Sequence, residues 1–396
     1  MTPLYLNALG IVNPLGTGKA EVARNLFAGS QSGMVRRDDL IPGRPIVTGV
    51  VAGPLPTIPE RFAAHASRTN RLLLAALREI EDDVRGCIAR HGEDRVAVLV
   101  GTSTSGIAEG EEAVVARLKT GAFPPSYRYG IQLMDDPATF AAAYLGISGP
   151  AYAVSTACTS SVKALGSACR LVRAGMCDAA VVAGTDGLCR LTTNGFAALE
   201  ALSDDVCVPL SRNRKGINIG EGAAAFLVTR DPGPVRILGI GETSDAHHIS
   251  APDPEGTGTR RAMDLALTQG GIAAREVAYV NLHGTGTPMN DAMEAKAVST
   301  ALGGGVPCSS TKPLTGHMLG AAGASELGFL WLTLSPAHNP GFLPPHVWDG
   351  MTDDMLPQIS VVGPGTAFTR RGFVPMLTNS MAFGGNNVSV LVGGER

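Results

Sequence analysis

A cysteine at the mouth of a helix-like segment and two distant histidines are the side chains here whose types and surroundings suit covalent chemistry. Cys158 stands in Ser155-Thr156-Ala157-Cys158-Thr159-Ser160-Ser161, between a strand-like stretch (151–155) and a helix-like one. Peptide N–H groups at a helix N-terminus favour a thiolate, and small neighbours leave room for a thioester, so this thiol is a candidate nucleophile. An inert buried cysteine fits the same heptapeptide, and only a base elsewhere can separate the two readings. His283 lies in Asn281-Leu-His-Gly-Thr-Gly-Thr-Pro288, and His317 closes Ser310-Thr-Lys-Pro-Leu-Thr-Gly-His317. Each sits against glycine near a segment end, and thiol enzymes assemble their sites from a cysteine and histidines far apart in sequence. Phe383-Gly384-Gly385 forms a third element: a tight turn there offers backbone N–H groups as an oxyanion hole, although a plain hairpin turn fits it too. His247-His248, in a Ser/Thr/Asp/Pro stretch, reads as surface.

Elements able to position these residues alternate along the chain. Apolar, β-branched runs closed by glycine predict strands at 96–100, 179–183, 223–228, 277–282, 377–380 and 388–392. Helical spacing of alanine, leucine and charge predicts helices at 71–85, 159–174, 260–269, 291–302 and 319–334. Such alternation indicates an α/β layered fold with deeply buried sheets. Residues 96–106 and 277–287 both read as strand, glycine-threonine turn, then helix. Residues 156–174 and 315–334 both read as a small-residue turn entering a helix. This echo divides the chain into two similar halves, 1–230 carrying the cysteine and 231–396 carrying both histidines.

Composition excludes several classes. With 44% hydrophobic and 17% charged residues and a formal charge of −3, the 396-residue chain is neither disordered nor a nucleic-acid binder. No apolar run approaches the ~18 residues of a membrane span, and the first residues lack the basic start of a secretory signal, so a cytoplasmic protein is expected. Seven cysteines without a C-x-x-C pair support neither a disulfide framework nor a structural zinc site. Gly284-Thr-Gly286 lacks the third glycine of a dinucleotide fingerprint and no phosphate-loop motif occurs, so neither NAD nor ATP is expected.

Taken together and in this order, Thr156-Ala-Cys158-Thr-Ser-Ser, His283-Gly-Thr-Gly-Thr-Pro, Lys312-x-x-x-Gly-His317 and Phe383-Gly-Gly-Asn-Asn resemble the elongating β-ketoacyl-acyl carrier protein synthases of the thiolase superfamily. Asn218-Ile-Gly-Glu221-Gly and Asp291-x-x-Glu294 match the same pattern. The resemblance implies a five-layer αβαβα thiolase-like fold. It also implies a decarboxylative Claisen condensation of a Cys158-bound acyl chain with malonyl-acyl carrier protein, releasing carbon dioxide. His283 and His317 would hydrogen-bond the developing enolate, and the N–H groups of Cys158 and Phe383 would hold the tetrahedral oxyanion. The Phe383 ring would gate the acyl pocket, Lys312 with Glu326 would orient the histidines, and Thr285 and Thr287 would support the site. No cofactor or metal is implied, since the substrates ride on phosphopantetheine.

The resemblance further implies acyl carrier protein as partner and a homodimer, or a heterodimer with a related subunit, with residues 105–134 shaping the acyl pocket at that interface. Arg68, Arg71, Arg212 and Arg214 are candidate docking cations for the acidic carrier. Thiolases would carry a second cysteine where His317 stands, and starter synthases would pair one histidine with asparagine. Two alternatives to condensation remain: a non-catalytic chain-length subunit, which would lack the nucleophile, and a transacylase. Met381-Ala-Phe383-Gly-Gly-Asn386-Asn and Pro209-Leu-Ser211 depart from the usual fatty-acid pattern and point toward aryl polyene or polyketide-type assembly.

Overall fold

The computed structural model describes residues 2–396 and threads the long strands into one sheet whose two sides repeat each other. Strand Leu4–Asn13 pairs antiparallel with Gly222–Thr229 and that strand antiparallel with Ala179–Asp186; parallel pairs to Val96–Gly101 and Ala151–Val154 complete this side. From Val235–Ser244 the succession is again antiparallel to Asn386–Glu395, antiparallel to Phe373–Ala382, then parallel to Val280–Asn281 and Pro307–Ser309. Leu4–Leu6 against Val235–Ile237, antiparallel, joins the two sets.

Strand alternation sorts the apolar side chains into separate cores. Leu99, Val182 and Phe226 face a central core that also takes Met376 and Val390 from the other half, whereas Val98, Val181 and Leu227 face an outer core with Leu73 and Phe140. Leu377 and Leu391 turn instead toward a third core with Met263 and Val298. Helices and half-sheets therefore alternate in five layers, three of helix and two of sheet. Arg68–Arg78 and Asp136–Leu145 cover one outer face, Thr257–Gly270 and Pro288–Leu302 the other, and Ser160–Arg173 with Ala322–Leu334 lie between the half-sheets. All thirteen residues of Ala322–Leu334 are buried, as a helix enclosed on every side requires. This is the five-layer α/β thiolase-like arrangement of two similar halves.

Two predicted elements are adjusted. The single helix expected over 71–85 is two, Arg68–Arg78 and Glu81–His91. The helical backbone breaks at Ile80 (φ −118°, ψ 6°), and the neighbouring Glu79 carboxylate accepts the backbone N–H groups of Ile11 and Lys19, which ties the break to the first strand and the start of the first helix. The strand expected over 277–282 pairs only at Val280–Asn281. Leu4–Asn13, Val235–Ser244 and the helix Ile107–Thr120 carried no periodicity that singled them out.

Candidate active site

The nucleophile helix lies close against its strands because glycine lets it. A Cβ on Gly101 would fall 2.2 Å from the Ser161 nitrogen, so only glycine admits the backbone of Ser160–Arg173 at this height. Just ahead of the helix, Ala157 adopts φ +54°, a left-handed conformation costly for a residue with a side chain. Thr156 N–H donates to Ser160 Oγ at 2.9 Å, and Ser160 Oγ donates back to the Ala157 carbonyl at 2.5 Å, which holds this turn and fixes Cys158 at its crest.

His317 reaches Cys158 from the second half: its Nε2 lies 2.9 Å from the Cys158 Sγ. The His317 N–H donates to the Asn218 carbonyl at 2.6 Å, and its own carbonyl accepts from Gly220 N–H at 2.9 Å. This explains the Asn218-Ile-Gly-Glu-Gly stretch. The Asn218 side chain pins the loop over residues 203–207, Gly220 stays bare because a Cβ would meet the Thr315 carbonyl at 2.2 Å, and Glu221 accepts Val51 N–H. The ring of His283 crosses that of His317 edge-on at 5.2 Å. Its loop is seated on Glu294, whose carboxylate accepts the N–H groups of His283 and Gly284 at 2.8 and 2.7 Å and the Asn379 amide at 3.2 Å. Ser310 Oγ donates to the Gly284 carbonyl at 2.6 Å and ties the two histidine loops together.

Behind the histidines, Lys312 Nζ meets Glu326 Oε1 at 2.5 Å, each side chain only 2% exposed. Burial, reinforced by the Lys312 charge, holds both imidazoles well below their ordinary pKa, so they are neutral near pH 7. Burial also pushes the Cys158 thiol up to about 12, with Lys312 opposing. The helix terminus was expected to favour a thiolate; desolvation outweighs it, and the resting pair is a thiol beside a neutral imidazole. Glu294 is pushed up to about 7 by burial against the N–H groups it accepts. Among the described residues neither histidine Nδ1 has a partner, so no second bond there fixes either tautomer and each Nε2 can accept or donate.

Cys158, His283, His317, Thr285, Thr287 and Phe383 all line one cavity of about 220 Å³. Thr285 and Thr287 share a hydroxyl contact at 3.0 Å. Among the described residues, the backbone N–H groups of Cys158 and Phe383 have no acceptor within the protein. The Phe383 ring, 40% exposed, stacks obliquely on Phe196 at 5.5 Å. The Cys158, His283 and His317 donor atoms lie within 4.8 Å of one another and would be the ligands if a soft metal ion entered; the Cys158–His317 hydrogen bond already engages two of them.

None of the four candidate docking arginines lines this cavity. Arg68 clamps buried Glu221 through two nitrogens, Arg71 donates to the Leu55 and Pro56 carbonyls, and Arg214 pairs with Asp353 at 2.6 Å. Arg212, 47% exposed, makes only a 3.4 Å pair with Asp354 beyond its bond to the Thr352 carbonyl. Lys215 and Met289 line the cavity but carried no motif that could have flagged them, and Phe196 lines it beside them. Asp186 was likewise silent: it gathers Thr102, Ser103, Thr104 and the Ala321 N–H around one buried carboxylate. His247 and His248 are exposed, as expected.

The arrangement of one thiol and two neutral imidazoles, spread over both halves, can be compared with known proteins. The family model for the β-ketoacyl synthase N-terminal domain matches residues 6–232, and that for the C-terminal domain matches residues 235–346. The chain belongs to the β-ketoacyl synthase family. A 3-oxoacyl-[acyl-carrier-protein] synthase 2 of Staphylococcus aureus is 33% identical over 353 residues, 85% of this chain and 86% of the relative. Among solved structures, a ketosynthase in complex with its chain length factor from Xenorhabdus doucetiae matches with TM-score 0.94 and 44% identity, covering 99% of this chain and 98% of that one. The ishigamide ketosynthase/chain length factor matches at TM-score 0.86 and 27% identity, over 100% and 99% of the two chains. Within this β-ketoacyl synthase, no described helix is long and apolar enough to cross a membrane.

Proposed function

We propose that this β-ketoacyl synthase condenses a Cys158-bound acyl chain with malonyl-acyl carrier protein, and that residues 1–230 and 231–396 are the two halves contributing nucleophile and histidines. The observation that carries the reading is the 2.9 Å Cys158–His317 contact with His283 beside it in one cavity. In the first half-reaction His317 Nε2 accepts the thiol proton as Sγ attacks the acyl thioester, and the carrier thiol leaves with that proton. In the second, the malonyl carboxylate leaves as carbon dioxide, its bonding pair enters the enolate, and Nε2–H groups of His283 and His317 stabilise the enolate oxygen. The enolate carbon then attacks the Cys158 thioester, the C–S bond breaks with its electron pair leaving on sulfur, and a proton from solvent passed by His317 Nε2 restores the thiol. The N–H groups of Cys158 and Phe383 hold the intermediate oxyanion; such donors are worth roughly 10²–10³ in rate. Glu326 anchors Lys312, whose charge adds to burial in keeping the imidazoles neutral, and Thr285 and Thr287 receive the pantetheine arm. The substrates supply their own carrier group, and this chemistry calls for no redox cofactor.

The partners are an acyl carrier protein and a second ketosynthase-like subunit. Ala151–Val154 is an edge strand with Ala151 and Tyr152 exposed, and the 107–132 segment leaves Val114, Leu118 and Tyr129 uncovered, apolar surface suited to a subunit contact. Two of the matched structures are ketosynthases with a chain length factor, and the higher identity to the Xenorhabdus doucetiae complex favours a specialised polyene or polyketide pathway with such a partner over fatty-acid elongation. The retained Cys158–His283–His317 set assigns the catalytic place in that pair to this chain. Of the four docking arginines, Arg212 keeps the most freedom to meet a carrier carboxylate.

The test is the mass of a loaded carrier protein after incubation with the chain, its partner subunit and malonyl carrier protein. A two-carbon β-keto extension supports condensation. An acyl adduct on Cys158 without extension, with the partner present, makes the protein a transacylase, and no adduct overturns the nucleophile.

A further inference from the structure

The hairpin bearing Phe383 is tied down on two sides. On one, Gly384 N–H donates to the Ile249 carbonyl, and Asn387 Nδ2 donates to Asp245 Oδ1 at 2.7 Å. On the other, Asn386 Oδ1 accepts from Lys163 Nζ at 2.7 Å. Lys163 stands in the first turn of Ser160–Arg173, five residues after Cys158, and is partly buried. Its ammonium ends on a neutral amide, although a lysine gives up considerable rotamer freedom to be held in one place. A bond with one charged partner is roughly twice as strong as a neutral one, so this contact is a firm tether between the nucleophile helix and the turn. Gly384 and Gly385 at the tip have φ +87° and +78°, and a Cβ at Gly384 would meet nothing within 4 Å. The tip thus has space to move and is restrained by its tethers.

We propose that the Lys163–Asn386 contact is a latch that couples the nucleophile helix to the Phe383 hairpin and sets how readily that gate opens over Cys158. The proposal rests on the reading of Phe383 as the gate. With the latch made, the Phe383 N–H stays beside the thioester and water is kept from it. With the latch broken, acyl chains enter more freely, but water also reaches acyl-Cys158, adds to its carbonyl and releases the carboxylic acid and the free thiol. Lys163 and Asn386 touch no reacting atom and are positioning residues.

The test compares wild type with K163M, N386A, the K163M/N386A double variant, K163R and N386D. The probe is an alkyl-chain-bearing chloroacetamide, which forms a C–S bond at Cys158 and loses chloride without needing any carrier protein. The expected result is about tenfold faster alkylation for K163M and N386A, no further gain in the double variant, near wild-type rates for K163R, and slower alkylation for N386D, where a carboxylate strengthens the bond to Lys163. In parallel, acyl-enzyme hydrolysis rises in K163M and N386A while the KM for malonyl carrier protein stays within about twofold of wild type. Additive single effects, an N386D rate like that of N386A, or unchanged alkylation throughout would overturn the latch. Should K163M not fold, K163R and N386D still carry the sign test. If wild type alkylates in this pattern but never condenses, the condensation reading fails and the latch stands; if it condenses without the pattern, the reverse holds.

Discussion

Glu326→Gln alone should destabilise the protein, whereas removing Lys312 and Glu326 together should largely spare stability and shift the pH dependence of the chemistry. The two side chains form a buried pair at 2.5 Å, 2% exposed on each side. Glu326→Gln strands the Lys312 ammonium in the interior, and breaking such a pair costs about 3–5 kcal/mol. The unfolding entropy of a 396-residue chain is roughly 0.8 kcal/mol per kelvin, so Tm should fall by about 5 °C. The double variant Lys312→Met, Glu326→Leu removes both charges and fills the space with apolar atoms, so it should recover most of that loss, since apolar replacements of buried pairs are often neutral or stabilising. Its chemistry should nevertheless change. The Lys312 charge is the second-largest influence, after burial, holding His283 and His317 deprotonated, and without it both imidazoles titrate at higher pH. The acidic limb of the condensation profile should therefore move upward, read from malonyl decarboxylation and condensation rates between pH 5 and 8, beside calorimetry. A double variant with wild-type stability and a wild-type pH profile would refute the assigned role of Lys312, and an unchanged Tm for Glu326→Gln would refute the buried-pair energetics.

Cys158→Ala should abolish acyl-enzyme formation, read by intact-protein mass, yet leave malonyl decarboxylation measurable as released carbon dioxide. His283→Ala should lose decarboxylation by roughly 10²–10³ while still acylating, whereas His317→Ala should slow both half-reactions because it alone touches the thiol. With the thiol pushed up to about 12, alkylation of Cys158 by iodoacetamide should climb steadily from pH 6 to 10; a plateau already reached near neutrality would mean a resting thiolate. Unfolding should become easier in acid: the two buried imidazoles bind protons less well folded than unfolded, so stability falls as pH drops below their ordinary 6.5, checked by urea midpoints at pH 7.5 and 5.5. Gly101→Ala would place a methyl 2.2 Å from the Ser161 nitrogen, so it should lower both Tm and acylation together.

The nucleophile and both histidines were legible because each stands in a local pattern that only chemistry or a turn requires: a small-residue helix entry at Cys158, a glycine-bounded strand end at His283 and a Gly-His step just before a helix at His317. The buried strands were legible where apolar runs were continuous, as at Val96–Gly101 and Ala179–Asp186. Leu4–Asn13 was not, because its polar Asn7 and Asn13 and its glycine interrupt the run, although it is the strand that joins the halves. Phe196 and Lys163 kept their roles hidden for a different reason. Each looks like an ordinary helix residue, and its role comes from a partner far off in the chain, Phe383 and Asn386 respectively.

What the sequence by itself determined is the inventory and its order: one thiol at a helix entry, two imidazoles beside glycines, a lysine four residues before a Gly-His pair, and a diglycine turn, distributed over two echoing halves. These follow from backbone demands that act within a few residues. Only the tertiary structure decided that burial outweighs the helix terminus at Cys158, that His317 rather than His283 touches the sulfur, and that Arg68, Arg71 and Arg214 spend their donors inside the protein. Desolvation and charge pairing depend on which distant groups share a low-dielectric space, and packing of the two half-sheets around Ser160–Arg173 and Ala322–Leu334 creates that space.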